Sequence, residues 1–162
     1  MWSADLYQLH LIDPKVPLVD QGGELLLLQR EGKIRHIGLS EVTVEQIEGA
    51  RKIADIVSVR NLYNLANRGA EDVLEYAEWE NLGFIPWFPI ATGQLARSGG
   101  PLDSRQGAGR EPLLDGSGLA AARSPVMLSI PGTSRVARLE ENTQAAQVAL
   151  SDAQFRALGQ AV

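Results

Sequence analysis

Short apolar runs alternate with helix-length segments along this chain, and that alternation limits its fold more than any other feature. IRHIGL at Ile34–Leu39 reads as a strand. Thr43-Val44-Glu45-Gln46 follows, fitting the capping box S/T-x-x-E/Q that opens a helix. A helix from there to Ala54 sets Val44, Ile47, Ala50 and Ile53 roughly on one face, and Ile56–Val59 is the next strand. The pattern extends both ways. Asp5–His10 (DLYQLH) is a short strand. Val19–Glu31 is a helix with Leu25, Leu26 and Leu28 inward, stopped by Gly32. Beyond Val59 come a helix over Ala70–Asn81 ended by Gly83, a strand over Phe84–Phe88 and a fifth strand over Val126–Ile130. Helices follow over Val136–Ala146 and Ala153–Leu158, the last capped by Ser151. Strands separated by helices in this order indicate parallel βαβ units, either closing into a barrel or opening into a doubly wound sheet.

Composition narrows the function. The 162 residues suffice for one domain with a core. With 15 basic against 20 acidic residues the net charge is -5, which argues against a general nucleic-acid or anionic-membrane binder. The sequence has no cysteine, so disulfides, thiolate metal sites and cysteine nucleophiles are excluded; no metal site is expected. No apolar run approaches the roughly 20 residues that span a bilayer. The start MWSADLYQ has neither a basic leader nor an apolar signal core, and the expectation is a cytoplasmic protein.

One segment breaks the alternation. LDSRQGAGREPLLDGSGLAAAR, from Leu102 to Arg123, has glycines at 107, 109, 116 and 118, a proline at 112 and no clean period. Structureless loops of this length are uncommon inside compact domains.

Five phrases in order, DLYQLH, GKIRHIGLSE, VSVRNLYN, GFIPWFPIATG and IPGTSRVARLEEN, together resemble the C-terminal part of an aldo-keto reductase, with the bacterial oxidoreductase-like branch nearest. The resemblance runs over nearly the whole chain except 104–122. It implies a partial (β/α)8 TIM barrel, about the fourth to eighth βα units, that binds NADP(H) without a Rossmann fold. No G-x-G-x-x-G opens a helix after a strand here, in keeping with that. Catalytic groups of such barrels sit at the C-terminal ends of the strands.

The resemblance carries over to particular residues. His10 matches the active-site histidine that positions and polarises the substrate carbonyl; the residue by itself also reads as a strand-end histidine held by a backbone partner. His36, on the next strand, has no such match and reads as structural. Ser40 stands where the family hydrogen-bonds the nicotinamide carboxamide, and also where a serine caps the following helix; Glu41 replaces a common asparagine. Trp87 falls where an aromatic ring stacks on the nicotinamide, or is a core tryptophan. Relatives usually carry glutamine at position 60 to bind the carboxamide; a guanidinium accepts no hydrogen bond, so Arg60 departs from the family at that contact. Thr133, Ser134 and Arg138 match residues around the adenosine 2'-phosphate, and Glu141 and Asn142 those holding the adenine. Arg138 suits a phosphate through paired hydrogen bonds, whereas Gly132 replaces a lysine of some relatives.

The family's reaction passes a hydride from NADPH to an aldehyde or ketone, with a tyrosine as general acid helped by a lysine and an aspartate. Those three precede the DLYQLH phrase in the family, and Met1 stands only a few residues before it; Tyr7, Tyr63 and Lys33 occupy none of the catalytic motif. A (β/α)8 barrel typically takes about 250 residues. The expectation is therefore a truncated chain over 1–162, inactive alone, binding a small-molecule carbonyl substrate only in the intact family and prone to self-association through exposed strand edges. A non-catalytic remnant or a nucleotide- or partner-binding α/β domain, for instance flavodoxin-like, is the other reading. At 104–122 the length fits the family but the wording is lost between matched flanks, as a local frame slip produces; a divergent loop does the same.

Overall fold

The computed structural model describes residues 3–64, 67–88, 123–130 and 132–145. The chain divides into two compact units, Met1–Asn61 with Ala70–Ile85, and Leu62–Gly69 with Pro86–Val162.

The first unit holds a four-stranded parallel sheet in the order β1 (Ala4–Leu9), β2 (Ile34–Ser40), β3 (Ile56–Arg60), β4 (Gly83–Phe84). Between the strands run α1 (Leu18–Arg30), α2 (Val44–Arg51) and α3 (Glu71–Glu80). Each crossover is a helix, as parallel pairing requires. Alternate residues of β2 and β3 point to opposite faces. Ile37, Leu39 and Val59 take one face and meet the apolar sides of the helices, with Ile47, Leu74, Ala77 and Phe84 also fully buried there. Burying the larger of these side chains, alanine aside, contributes about 1.5–3 kcal/mol each.

Local chemistry sets the helix ends. Thr43 Oγ1 accepts from the Gln46 N–H and Gln46 Oε1 accepts from the Thr43 N–H, so both arms of the capping box form. Gly32, at φ 72°, ends α1 in a conformation that costs other residues. Asn81, not Gly83, stops α3: it sits in the left-handed region at φ 53°, which asparagine tolerates, and Gly83 has already joined β4. Arg51 ties α2 to α3, paired with Glu80 at 2.6 Å and donating to the Tyr76 hydroxyl at 3.1 Å.

Two strand expectations need correction. The run expected over Phe84–Phe88 pairs as β4 only through Phe84. Ile85 still donates to the Val59 carbonyl at 2.8 Å, but Pro86 has no N–H to extend a ladder and Phe88 turns into the left-handed region at φ 63°. The fifth strand expected over Val126–Ile130 is not a strand. Pro125 lies in a turn closed from Met127 N–H to the Ser124 carbonyl at 3.2 Å, and Ser124 Oγ accepts from Val126 N–H. The turn takes the N–H groups of Val126 and Met127, and of this run Met127 alone takes part in a bridge.

In the second unit, Leu62 and Trp87 form a parallel bridge, Asn64 and Asn67 an antiparallel one, and α4 covers Val136–Ala145. The segment 104–122 and the helix expected over Ala153–Leu158 lie outside the described residues. No helix among the described residues is long and apolar enough to cross a membrane.

Candidate active site at the strand ends

The face of the sheet opposite the helices is polar. Its middle row is Gln8, Gly38 and Ser58, one residue from each of three neighbouring strands. Gln8 Nε2 donates to Ser58 Oγ at 3.4 Å across Gly38. Glycine is required there: a Cβ at position 38 would meet Ser58 Oγ at 2.4 Å and Gln8 Cγ at 3.0 Å. The row is thereby closed.

The next residues lie at the C-terminal ends of the strands. Ser40 and Arg60 are register partners. His10 directly follows Leu9, the last residue of β1, whose register partner Leu39 directly precedes Ser40. Ser40 is buried at 2% exposure, Arg60 is half-buried and His10 is exposed. Of the residues expected for the site, His10 and Ser40 thus stand at the C-terminal ends of neighbouring strands, and Arg60, which had stood out only as a departure, is the register partner of Ser40. Arg60 Nε is buried and without a hydrogen-bond partner among the described residues. Leaving such a donor unsatisfied costs about 1–3 kcal/mol, more for a charged group. His36 shares this face, two residues before Gly38, and is exposed.

The loop leaving β2 is fastened to β3. Asn61 Oδ1 accepts from the Val42 N–H at 3.2 Å, and Asn61 Nδ2 donates to the Val42 carbonyl at 2.8 Å. Asn61 is 7% exposed, and just before Val42 Glu41 holds φ 53° while its N–H donates to the Arg60 carbonyl at 2.9 Å. A non-glycine residue kept in the left-handed region needs such support from its surroundings. Sequence reading missed Asn61. Its partner lies nineteen residues earlier, and nothing local marks the pairing.

The remaining expected residues belong to the second unit and are described there. Trp87 is half-buried; its carbonyl accepts from the Tyr63 N–H at 3.4 Å and its ring lies 6.1 Å from that of Phe88, tilted by 58°. Asn64 Nδ2 donates to the Phe88 carbonyl at 3.1 Å, fixing the segment behind Trp87. Thr133 and Ser134 are exposed just ahead of α4, with Thr133 Oγ1 accepting from the Arg135 N–H at 3.2 Å. Arg138, Glu141 and Asn142 lie on α4, Asn142 half-buried. A Cβ built at Gly132 meets nothing within 4 Å, so the glycine is not demanded by space.

Protonation is biased by contacts away from the row. Glu31, through a hydrogen bond and its charge, holds the Lys33 ammonium above its ordinary value. Backbone N–H donation at the start of α2, then Thr43, lowers the Glu45 carboxyl. Glu80 and then Tyr76 raise Arg51. Among the described residues no three metal-ligating side chains cluster.

The aldo/keto reductase family model matches residues 3–112, more than half of the chain. The chain belongs to the aldo/keto reductase family. An uncharacterized oxidoreductase of Schizosaccharomyces pombe is 50% identical over 157 residues, 96% of this chain and 51% of that protein. Pyridoxine 4-dehydrogenase of Escherichia coli is 38% identical over 125 residues, 77% of this chain and 44% of that enzyme. The chain spans about half the length of these relatives. A Klebsiella pneumoniae aldo-keto reductase solved with NADPH superposes at TM-score 0.80 with 26% identity, over 98% of this chain and 58% of that one. A thermostable aldo-keto reductase solved with epalrestat superposes at 0.84 with 24% identity, over 99% of this chain and 60% of that one. The sheet and helices of this aldo/keto reductase chain are thus those of a partial (β/α)8 barrel, and the polar row stands at the strand ends where such barrels keep their chemistry.

His10, Ser40 and Arg60 offer donors in a histidine ring, a serine hydroxyl and a guanidinium. That set fits an oxygen-bearing ligand group, as a nicotinamide carboxamide or a carbonyl would present.

Proposed function

We propose that this chain supplies the cofactor-binding and carbonyl-positioning part of an NADP(H)-dependent reductase of aldehydes or ketones. The observation that carries the reading is the parallel pairing of β1 with β2, which ends with Leu9 against Leu39 and so sets His10 and Ser40 just beyond it at neighbouring strand ends. When bound, the nicotinamide cofactor supplies the hydride. Ser40 would hold the carboxamide, and Trp87 would lie against the ring. His10 would donate a hydrogen bond to the substrate carbonyl and draw electron density from its carbon. Thr133, Ser134 and Arg138 would hold the 2'-phosphate, and Glu141 and Asn142 the adenine; relatives solved with NADPH lend support. None of the residues named here is the general acid of the reaction, so the work proposed for them is binding and positioning, and turnover is not expected of them alone.

Titrating the chain with NADPH and reading energy transfer from tryptophan tests this. We expect saturable binding that Arg138→Ala weakens about tenfold, the loss of one charged hydrogen bond, with less effect on NADH. Equal binding of both cofactors by both proteins sinks the reading. Incubation with a generic aldehyde and NADPH is expected to show no reduction, and reduction abolished by His10→Ala would overturn that half.

We also infer a local frame slip over 104–122. The family match ends inside this segment, at residue 112, in support. The nucleotide sequence decides it: read in the shifted frame, the segment must encode an amphipathic helix. Self-association is proposed through the free side of β1, and sedimentation at rising concentration reads it directly.

A further inference from the structure

Both polar atoms of the Gln21 amide are taken up by the loop that follows His10. Gln21 Oε1 accepts from the Asp13 N–H at 3.1 Å, and Nε2 donates to the Asp13 carbonyl at 3.0 Å and to the Val16 carbonyl at 2.7 Å. Among side chains, only the primary amides of glutamine and asparagine pair an acceptor with two donors in this way. The loop itself is a turn. Asp13 Oδ1 accepts from the Lys15 N–H at 2.9 Å and the Asp13 carbonyl from the Val16 N–H at 3.2 Å, with Pro14 at the position that such turns favour. Apolar burial gives the loop little hold, since Leu11 and Val16 are 55% and 41% exposed. Gln21 stands near the start of α1, so its amide fastens the loop to a helix.

His10 lies between two fixed points. Before it, β1 ends at Leu9, paired with Leu39. After it, only Leu11 and Ile12 precede Asp13, so at most about 11 Å of chain leads from His10 to the clamp. His10 is exposed, and the backbone on either side sets where its ring stands. We infer that Gln21 is a positioning residue for His10, holding the loop so that the ring keeps the place from which it donates to a substrate carbonyl. The inference deepens the reductase reading and rests on it for the work given to His10. Order established before binding raises affinity, because the ligand does not have to immobilise the histidine itself.

Gln21→Met keeps the length of the side chain and removes all three hydrogen bonds, whereas Gln21→Glu keeps the acceptor and removes both donors. Amide relaxation and the ring resonances of the two histidines are recorded for the wild-type chain and both variants, with His36 on β2 as the internal control. The wild-type His10 amide should have an order parameter near about 0.85, and Gln21→Met should lower it below about 0.6. Gln21→Glu should fall between, and His36 should keep its value in all three. With NADPH bound, cyclohexanone should move the His10 ring resonance saturably, and Gln21→Met should weaken that response about fivefold. A His10 amide equally ordered in all three proteins, one already loose in the wild type, or His10 and His36 loosening together each overturn the inference. So does failure of both variants to fold, or, with NADPH bound, an equal or absent cyclohexanone response. NADPH titration of the same samples separates the two readings. No NADPH binding by the wild type, with His10 loosened in Gln21→Met, overturns the reductase reading alone. NADPH binding with His10 equally ordered throughout leaves the reductase and removes the clamp.

Discussion

β1 and β2 are paired in one register, Ala4 with Ile34 through Leu9 with Leu39, but they occupy different environments. In β2, Ile37 and Leu39 are 0% and 2% exposed, whereas in β1 Leu6 and Tyr7 are 39% and 43% exposed. Both strands are apolar enough to be buried. What differs is cover: β2 has β3 on its far side and helices on one face, and β1 ends the described sheet. Hydrophobic residues alone do not make a core; a neighbour has to supply the other surface.

The comparison breaks if truncation costs the same in both strands. Ile37→Ala should destabilise by about 3–4 kcal/mol, counting both lost transfer and the cavity left behind, against under about 1 kcal/mol for Leu6→Ala. Urea unfolding of the two variants measures the difference, and equal midpoints would mean that β1 is covered in solution. Gly38→Ala sharpens the comparison, since the two strands meet β3 through that row. The added methyl must displace Ser58 Oγ and Gln8 together, at a cost of roughly 1–3 kcal/mol. A crystal structure of the variant would show whether the Gln8–Ser58 contact opens. The smallest effect is at the surface. Arg35 Nη1 meets Asp5 at 2.8 Å with both side chains mostly exposed, so Arg35→Ala should change stability by less than about 1 kcal/mol, and by less still in salt.

Much of this was legible because it is local. Thr43 and Gln46 announce their own helix start, and Gly32 its own stop. The β2 and β3 runs read as strands because their apolar residues recur within a few positions. Legibility failed where a distant or competing contact decides. Asn81 took the helix stop from Gly83 because the glycine was needed in β4. Val126–Ile130 is apolar and β-branched enough for a strand, yet Pro125 and Ser124 spend its first donors on a turn. At the site, His10 and Ser40 were named by resemblance to a family. No local pattern could reveal that Asn61 fastens Val42, or that Arg60 Nε is buried, because both depend on which strands lie side by side.

Arg60 and Asn61 are consecutive, and the first ends the register with β2 while the second grips the loop. Selection can therefore act on one side chain without touching the other. Exchanging the side chain at 60 leaves both holds on Val42 in place, whereas a change at 61 releases the loop that follows β2. Descendants of such a protein should vary at the first position long before they vary at the second.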